Sequence, residues 1–184
     1  MYRFSAQYGR LKAFVEGKYV EPEHDRHLPT YDPGLGRQIG EVPVAKRVDD
    51  AVGSAAAAFE KWSKLPVYDR LQYLVKLKVL FEQRLDELAK LIAQNVGKTV
   101  AEAHGELRRA VEAIDMALAA PHYAAEVRKV MNIARADPEI DMETVKEPLG
   151  VFAVITPFNF PVMIPMWFIP VSYTHLTLPT NREV

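Results

Sequence analysis

Apolar residues return every three or four positions between residues 49 and 118, the spacing of one face of an α-helix. Val52, Ala55, Ala56, Phe59 and Trp62 form one such face and predict a helix over about 49–63, with Asp49 or Asp50 capping its first amides. Leu71, Leu74, Val75, Leu77, Leu80, Phe81, Leu85, Leu88 and Ile92 form a broad stripe and predict a second helix over about 67–96, with Gly97 as its stop. Ala103, Leu107, Ala110, Val111 and Ile114 predict a third over about 100–118. The charged residues of that third helix, Glu106, Arg108, Arg109 and Glu112, read as a face turned to solvent or to another subunit.

On either side of the helices the pattern shortens. Ala13-Phe-Val-Glu-Gly-Lys-Tyr-Val20 reads as a small hairpin with Gly17-Lys18 at its turn. Residues 21–43 are rich in Pro, Gly and His and read as an extended surface connection, with a turn at Asp32-Pro-Gly-Leu-Gly36 and a short strand over 38–42. Residues 141–147 alternate like a strand. Residues 151–155 are a continuous β-branched and apolar run, the composition of a strand covered on both faces. Such a strand needs neighbours on both sides, and the chain supplies few.

From 151 to 171 only Thr156 and Asn159 are polar. A run of about 20 apolar residues could cross a bilayer. Pro157, Pro161, Pro165 and Pro170 interrupt it, and a proline inside a helix breaks or kinks it. The segment therefore reads as a strand, a turn and a helix start in a buried core. A small membrane-anchored helical protein, or a non-catalytic interaction module built on the helices, stands as the rival of another class.

Composition narrows the chemistry. The 184 residues carry 23 basic and 24 acidic side chains, a net charge of −1, which gives no electrostatic basis for binding nucleic acid or an anionic membrane. There is no cysteine, so this chain holds no disulfide, thiolate metal site or thiol nucleophile. His24, His27, His104 and His122 lack metal-ligand spacing and read as surface residues, and Lys98 reads as a helix-end charge. The first ten residues lack the apolar core of a secretion signal, so a cytoplasmic location is the expectation.

Glu147-Pro-Leu-Gly-Val-Phe-Ala-Val-Ile-Thr-Pro-Phe-Asn-Phe-Pro161 resembles the aldehyde dehydrogenase superfamily. The hairpin, Asp32-Pro with the strand after it, and the long helices extend the resemblance over roughly residues 12–170. Phe158, the run Met163-Ile-Pro-Met-Trp-Phe-Ile-Pro170 and Gly97-Lys-Thr99 resemble the acylating, coenzyme A-dependent methylmalonate-semialdehyde branch. Asp32 and Asn95-Val96 depart from the common pattern, and a branch of succinate-semialdehyde or lactaldehyde type, releasing a free acid, stays open.

The resemblance implies an α/β fold: the N-terminal part of the aldehyde dehydrogenase fold, with the start of a Rossmann-like sheet and a strand of an oligomerisation sheet near 142–146. It implies a small aldehyde as substrate, NAD as cofactor with NADP left open, coenzyme A as co-substrate in the acylating branch, and a homodimer or homotetramer. In this superfamily a cysteine attacks the aldehyde, and the resulting oxyanion needs preorganised donors. Asn159 matches the side-chain donor, and Ile155, Thr156 and Phe158 match positions beside the dinucleotide. Taken alone, Asn159 reads as a turn or helix-capping residue, Thr156 as a strand end, and Phe158, Met166 and Trp167 as packing.

After Pro170 the text changes. Val171 to Thr180 resembles the translation of a synthetic transposase adapter, so residues 171–184 are expected to be a non-native tail on a truncated chain. The nucleophilic cysteine and most of the dinucleotide fold would then lie beyond it, and the chain by itself would be inactive.

Overall fold

The computed structural model describes residues 8–21, 26–44, 47–122, 128–131, 139–144 and 148–174. Strand β1 (Gly9–Arg10) leads into a hairpin of β2 (Ala13–Val15) and β3 (Lys18–Val20). Val15 pairs with Lys18, so the turn residues are Glu16 and Gly17, one position before those the sequence suggests. Both have positive φ, 53° and 74°, the geometry of a two-residue turn whose twist matches its strands. Phe14 and Tyr19 face each other across the ladder with ring centroids 5.1 Å apart.

The connection expected over 21–43 is in part a second hairpin. Strand β4 (His27–Asp32) pairs antiparallel with β5 (Arg37–Pro43), and β1 lies parallel on the far side of β5. Pro29 is tolerated because β4 is an edge strand. The turn at 33–36 forms as expected. Asp32 is buried and closes it twice, its carbonyl accepting from the Gly36 N–H (2.8 Å) and its carboxylate from the Leu35 N–H (3.0 Å). The Tyr8 hydroxyl, donating to Gln94 Oε1 at 2.8 Å, ties this sheet to the helices.

Helix α1 (Val48–Trp62) buries Ala51 and Ala55 and leaves Val52 and Ala56 exposed, a face shifted from the expected one. Four consecutive alanines, Ala55 to Ala58, put an apolar residue on every side of its middle, so periodicity did not fix the buried side. Neither aspartate caps it: Asp50 pairs instead with Arg47 Nε at 2.7 Å.

The long second helix is two. Helix α2 (Val67–Gln83) and α3 (Leu85–Val96) are separated by Arg84, whose φ of −118° and ψ of 16° leave the helical region. No Gly or Pro marks that break. Packing accounts for it, because the apolar stripe serves two clusters. Leu71 and Leu74 pack with Ala110, Ile114, Ala117 and Met166, while Ala89 and Ile92 pack with Ala103 and Leu107. Gly97 does stop α3, in the left-handed conformation at φ 81°.

Helix α4 (Val100–Leu118) runs over the expected residues and is the central strut, contacting α2, α3 and the last helix. Thr99 and Glu102 form a reciprocal capping box at its start. Lys78 reaches Asp115 at 2.6 Å and links α2 to α4. After a 3₁₀ turn at Ala120–His122, β6 (Arg128–Val130) pairs antiparallel with β7 (Met142–Thr144). The expected strand over 141–147 is thus formed in part, and residues 145–147 lie outside the described ones. Helix α5 (Met163–Thr174) lies across α4 and continues past Pro170.

The expected strand at 151–155 is absent. The segment has no regular secondary structure beyond an isolated bridge at Phe152, and Ile155 is 96% exposed. A strand covered on both faces needs partners, and none forms a ladder with it among the described residues. The 151–171 run is therefore an irregular stretch, a turn over 158–162 and the first nine residues of α5, and no helix among the described residues is long and apolar enough to cross a membrane.

Candidate functional site

The two core clusters meet at the start of α5, where Val162 packs against both. The first amides of a helix have no intrahelical acceptor. Here one carboxylate supplies it. The N–H groups of Val162 and Met163 donate to Glu106 Oε1 at 2.9 and 3.1 Å. Glu106 Oε2 accepts from Lys98 Nζ at 2.6 Å. The Lys98 ammonium also lies 4.0 Å from the centroid of the Phe160 ring, within cation–π range. The Glu106 side chain is fully buried and that of Lys98 is 17% exposed.

This corrects one expectation and sharpens another. Glu106 is not on a solvated face, and Lys98 is a helix-end charge, as read, but one paired with Glu106. The signal was present in the spacing: Glu106 lies three residues after Ala103 and four before Ala110, inside the apolar stripe of α4. A carboxylate within such a stripe requires a partner, since an unpaired buried charge is costly. The ion-pair partner Lys98 lies only eight residues before it, but the two amide partners were not legible, because Val162 and Met163 are 56 and 57 residues away in sequence.

Local structure brings Lys98 into reach. Gly97 turns the chain out of α3 with its N–H on the Ala93 carbonyl (3.0 Å), and the capping box fixes Thr99 at the head of α4. Lys98 is held between those two points. In the box, the backbone and hydroxyl hydrogen bonds from Thr99 hold the Glu102 carboxyl below its ordinary range.

The four residues singled out from the sequence lie on one continuous segment ahead of this clamp. Ile155 is almost fully exposed, Thr156 half-buried, Phe158 64% exposed, and Asn159 exposed in a turn. The Asn159 side chain makes no hydrogen bond with any described residue. It does not cap α5, which begins at Met163 and takes its acceptor from Glu106. Phe158 is not a core aromatic, and Trp167 is half exposed, while Met166 packs in the core as expected. His122 is exposed, His27 is half-buried, and His104 is half-buried beside Asp86, its Nε2 3.2 Å from a carboxylate oxygen. His24 falls outside the described residues. The arrangement is an open, apolar-edged segment that presents one amide on a fixed turn.

Comparison with known proteins gives the segment a context. The sequence model of the aldehyde dehydrogenase family matches residues 19–173. The malonate-semialdehyde dehydrogenase of Bacillus cereus (strain G9842) is 40% identical over 165 residues, which is 89% of this chain and 33% of that protein. A Sinorhizobium meliloti 1021 structure solved with NAD, assigned as a methylmalonate-semialdehyde dehydrogenase, superposes with a TM-score of 0.84 at 32% identity, covering 94% of this chain and 35% of that one. The methylmalonate-semialdehyde dehydrogenase of Oceanimonas doudoroffii superposes with a TM-score of 0.83 at 32% identity, covering 91% and 34%. The chain thus spans about a third of the length of the curated relatives it matches.

Proposed function

The chain belongs to the aldehyde dehydrogenase family, and from that premise we propose that it is the opening part of an enzyme that oxidises malonate or methylmalonate semialdehyde with NAD. Asn159 is the side-chain donor to the oxyanion formed when a cysteine attacks the aldehyde. The observation that carries this reading is that the Asn159 side chain makes no hydrogen bond with any described residue. It is exposed, it caps nothing, and it sits on a turn whose next residues are anchored to α4. A preorganised donor of this kind contributes about 3–4 kcal/mol to a transition state.

Ile155, Thr156 and Phe158 lie beside the dinucleotide in this proposal. Two exposed apolar side chains and a hydroxyl along one segment suit the flat faces and ribose hydroxyls of such a cofactor. When bound, NAD supplies the hydride acceptor. Coenzyme A releases the acyl group by thiolysis, and the complete enzyme is a dimer or tetramer that uses the β6–β7 region. The 184-residue chain has no cysteine and, in this reading, forms no NADH by itself. Residues 171–184 are a non-native tail, although α5 runs on through Thr174. Resequencing the locus decides that point, and a native frame still encoding Ser172-Tyr-Thr-His-Leu176 would refute it.

The decisive experiment expresses the complete reading frame and measures NADH formation from malonate semialdehyde, with and without coenzyme A. Asn159→Ala should lower kcat about 100-fold or more with a smaller effect on KM. Unchanged kcat in Asn159→Ala would remove the oxyanion assignment.

A further inference from the structure

Among the described residues the Asn159 side chain makes no hydrogen bond, yet the residues after it are held at three points. The Phe160 ring lies under the Lys98 ammonium, and the Val162 and Met163 amides share one oxygen of Glu106. Between them Pro161 fixes its own φ and restricts Phe160 to extended backbone. The other oxygen of Glu106 is taken by Lys98, so the carboxylate cannot swing away without parting from a half-buried ammonium. Val162 is wedged between the two core clusters, which stops the segment sliding along α4.

The geometry points to Lys98 and Glu106 as positioning residues that fix the Asn159 turn against α4, so that its amide is presented in one orientation. Neither touches a reacting atom. They act through Phe160, Val162 and Met163. The inference rests on the reading of Asn159 as an oxyanion donor for its functional meaning, but the clamp itself is testable without any activity.

The first arm uses the 184-residue chain and hydrogen exchange read by mass spectrometry on peptides covering 160–166 and 107–114. Glu106→Gln leaves a neutral amide against the Lys98 ammonium. It should speed exchange at Val162 and Met163 about tenfold or more while the α4 amides keep their protection. Unchanged exchange at 162–163 overturns the clamp. If Glu106→Gln loosens the whole chain, the double variant K98M/E106Q decides. It removes both charges together, so protection of α4 should return, and failure to return overturns the coupling of the pair.

The second arm uses the complete enzyme. Glu106→Gln should lower kcat about tenfold to 100-fold with KM for NAD within about twofold. Added to Asn159→Ala it should cost nothing further, because its effect passes through that residue. An additive loss overturns the positioning role. If Asn159→Ala itself leaves kcat unchanged while the exchange result stands, the oxyanion reading fails and the clamp survives.

Discussion

Gly97 joins the local and the tertiary requirements of the site, and Gly97→Ala measures both. The residue has φ 81°, and an added Cβ would lie 2.9 Å from Pro33 Cγ in the β4–β5 turn. The left-handed conformation costs a non-glycine residue about 1–2 kcal/mol. Carbon atoms prefer about 3.5–4.0 Å, and a rigid proline ring must move to relieve the contact, which adds about 1–3 kcal/mol. Alanine recovers about 0.4–1 kcal/mol by restricting the unfolded chain. The net expectation is about 2–3 kcal/mol of destabilisation, roughly a 30- to 150-fold change in the folded-to-unfolded ratio. Urea unfolding followed by tryptophan emission checks it, in a Trp167→Phe background that leaves Trp62 as reporter. Trp62 meets Tyr73 at a tilt (5.1 Å between centroids) and Tyr173 edge-on (4.9 Å), so its signal follows the docking of α5. Adding Pro33→Ala should return the steric part, about 1–3 kcal/mol in a double-mutant cycle, and leave the conformational part. A Gly97→Ala variant within about 0.5 kcal/mol of the parent refutes the reasoning, as does a cycle with no coupling to Pro33.

Two further outcomes follow from the structure. Because the folded Glu102 carboxyl titrates below its ordinary value of 4.5, its contribution to stability is complete above that pH and is lost as pH falls through the folded value. Glu102→Ala should therefore flatten the acid limb of a stability–pH curve and leave its neutral plateau parallel to the parent, and an unchanged acid slope would contradict the capping box. Phe152, Ile155 and Phe158 present exposed apolar surface on one segment, so the 184-residue chain should bind an apolar fluorescent dye and self-associate. Ile155→Lys with Phe158→Ser should reduce both, and equal dye binding would show that the surface is covered.

Local patterning determined much of this chain. The α4 stripe, its start after Thr99, the glycine stop of α3 and the Asp32 turn are set by side chains within a few residues of one another, and the structure has them where the sequence placed them. The segment resembling the family was equally readable, because the order of Thr156, Phe158 and Asn159 is itself the pattern. Tertiary structure decided the rest. Arg84 breaks a helix that propensity would continue, because the two halves of one stripe are claimed by different clusters. The 151–155 run has the composition of a buried strand and forms no ladder, because a strand exists only with partners. Glu106 stood visibly in an apolar stripe with Lys98 eight residues before it, but the two amides that take its other oxygen lie more than 50 residues away, and no local rule names them. Sequence alone fixes what neighbours along the chain can do to one another, and the docking of distant backbone amides on a buried carboxylate waits on the fold that brings them near.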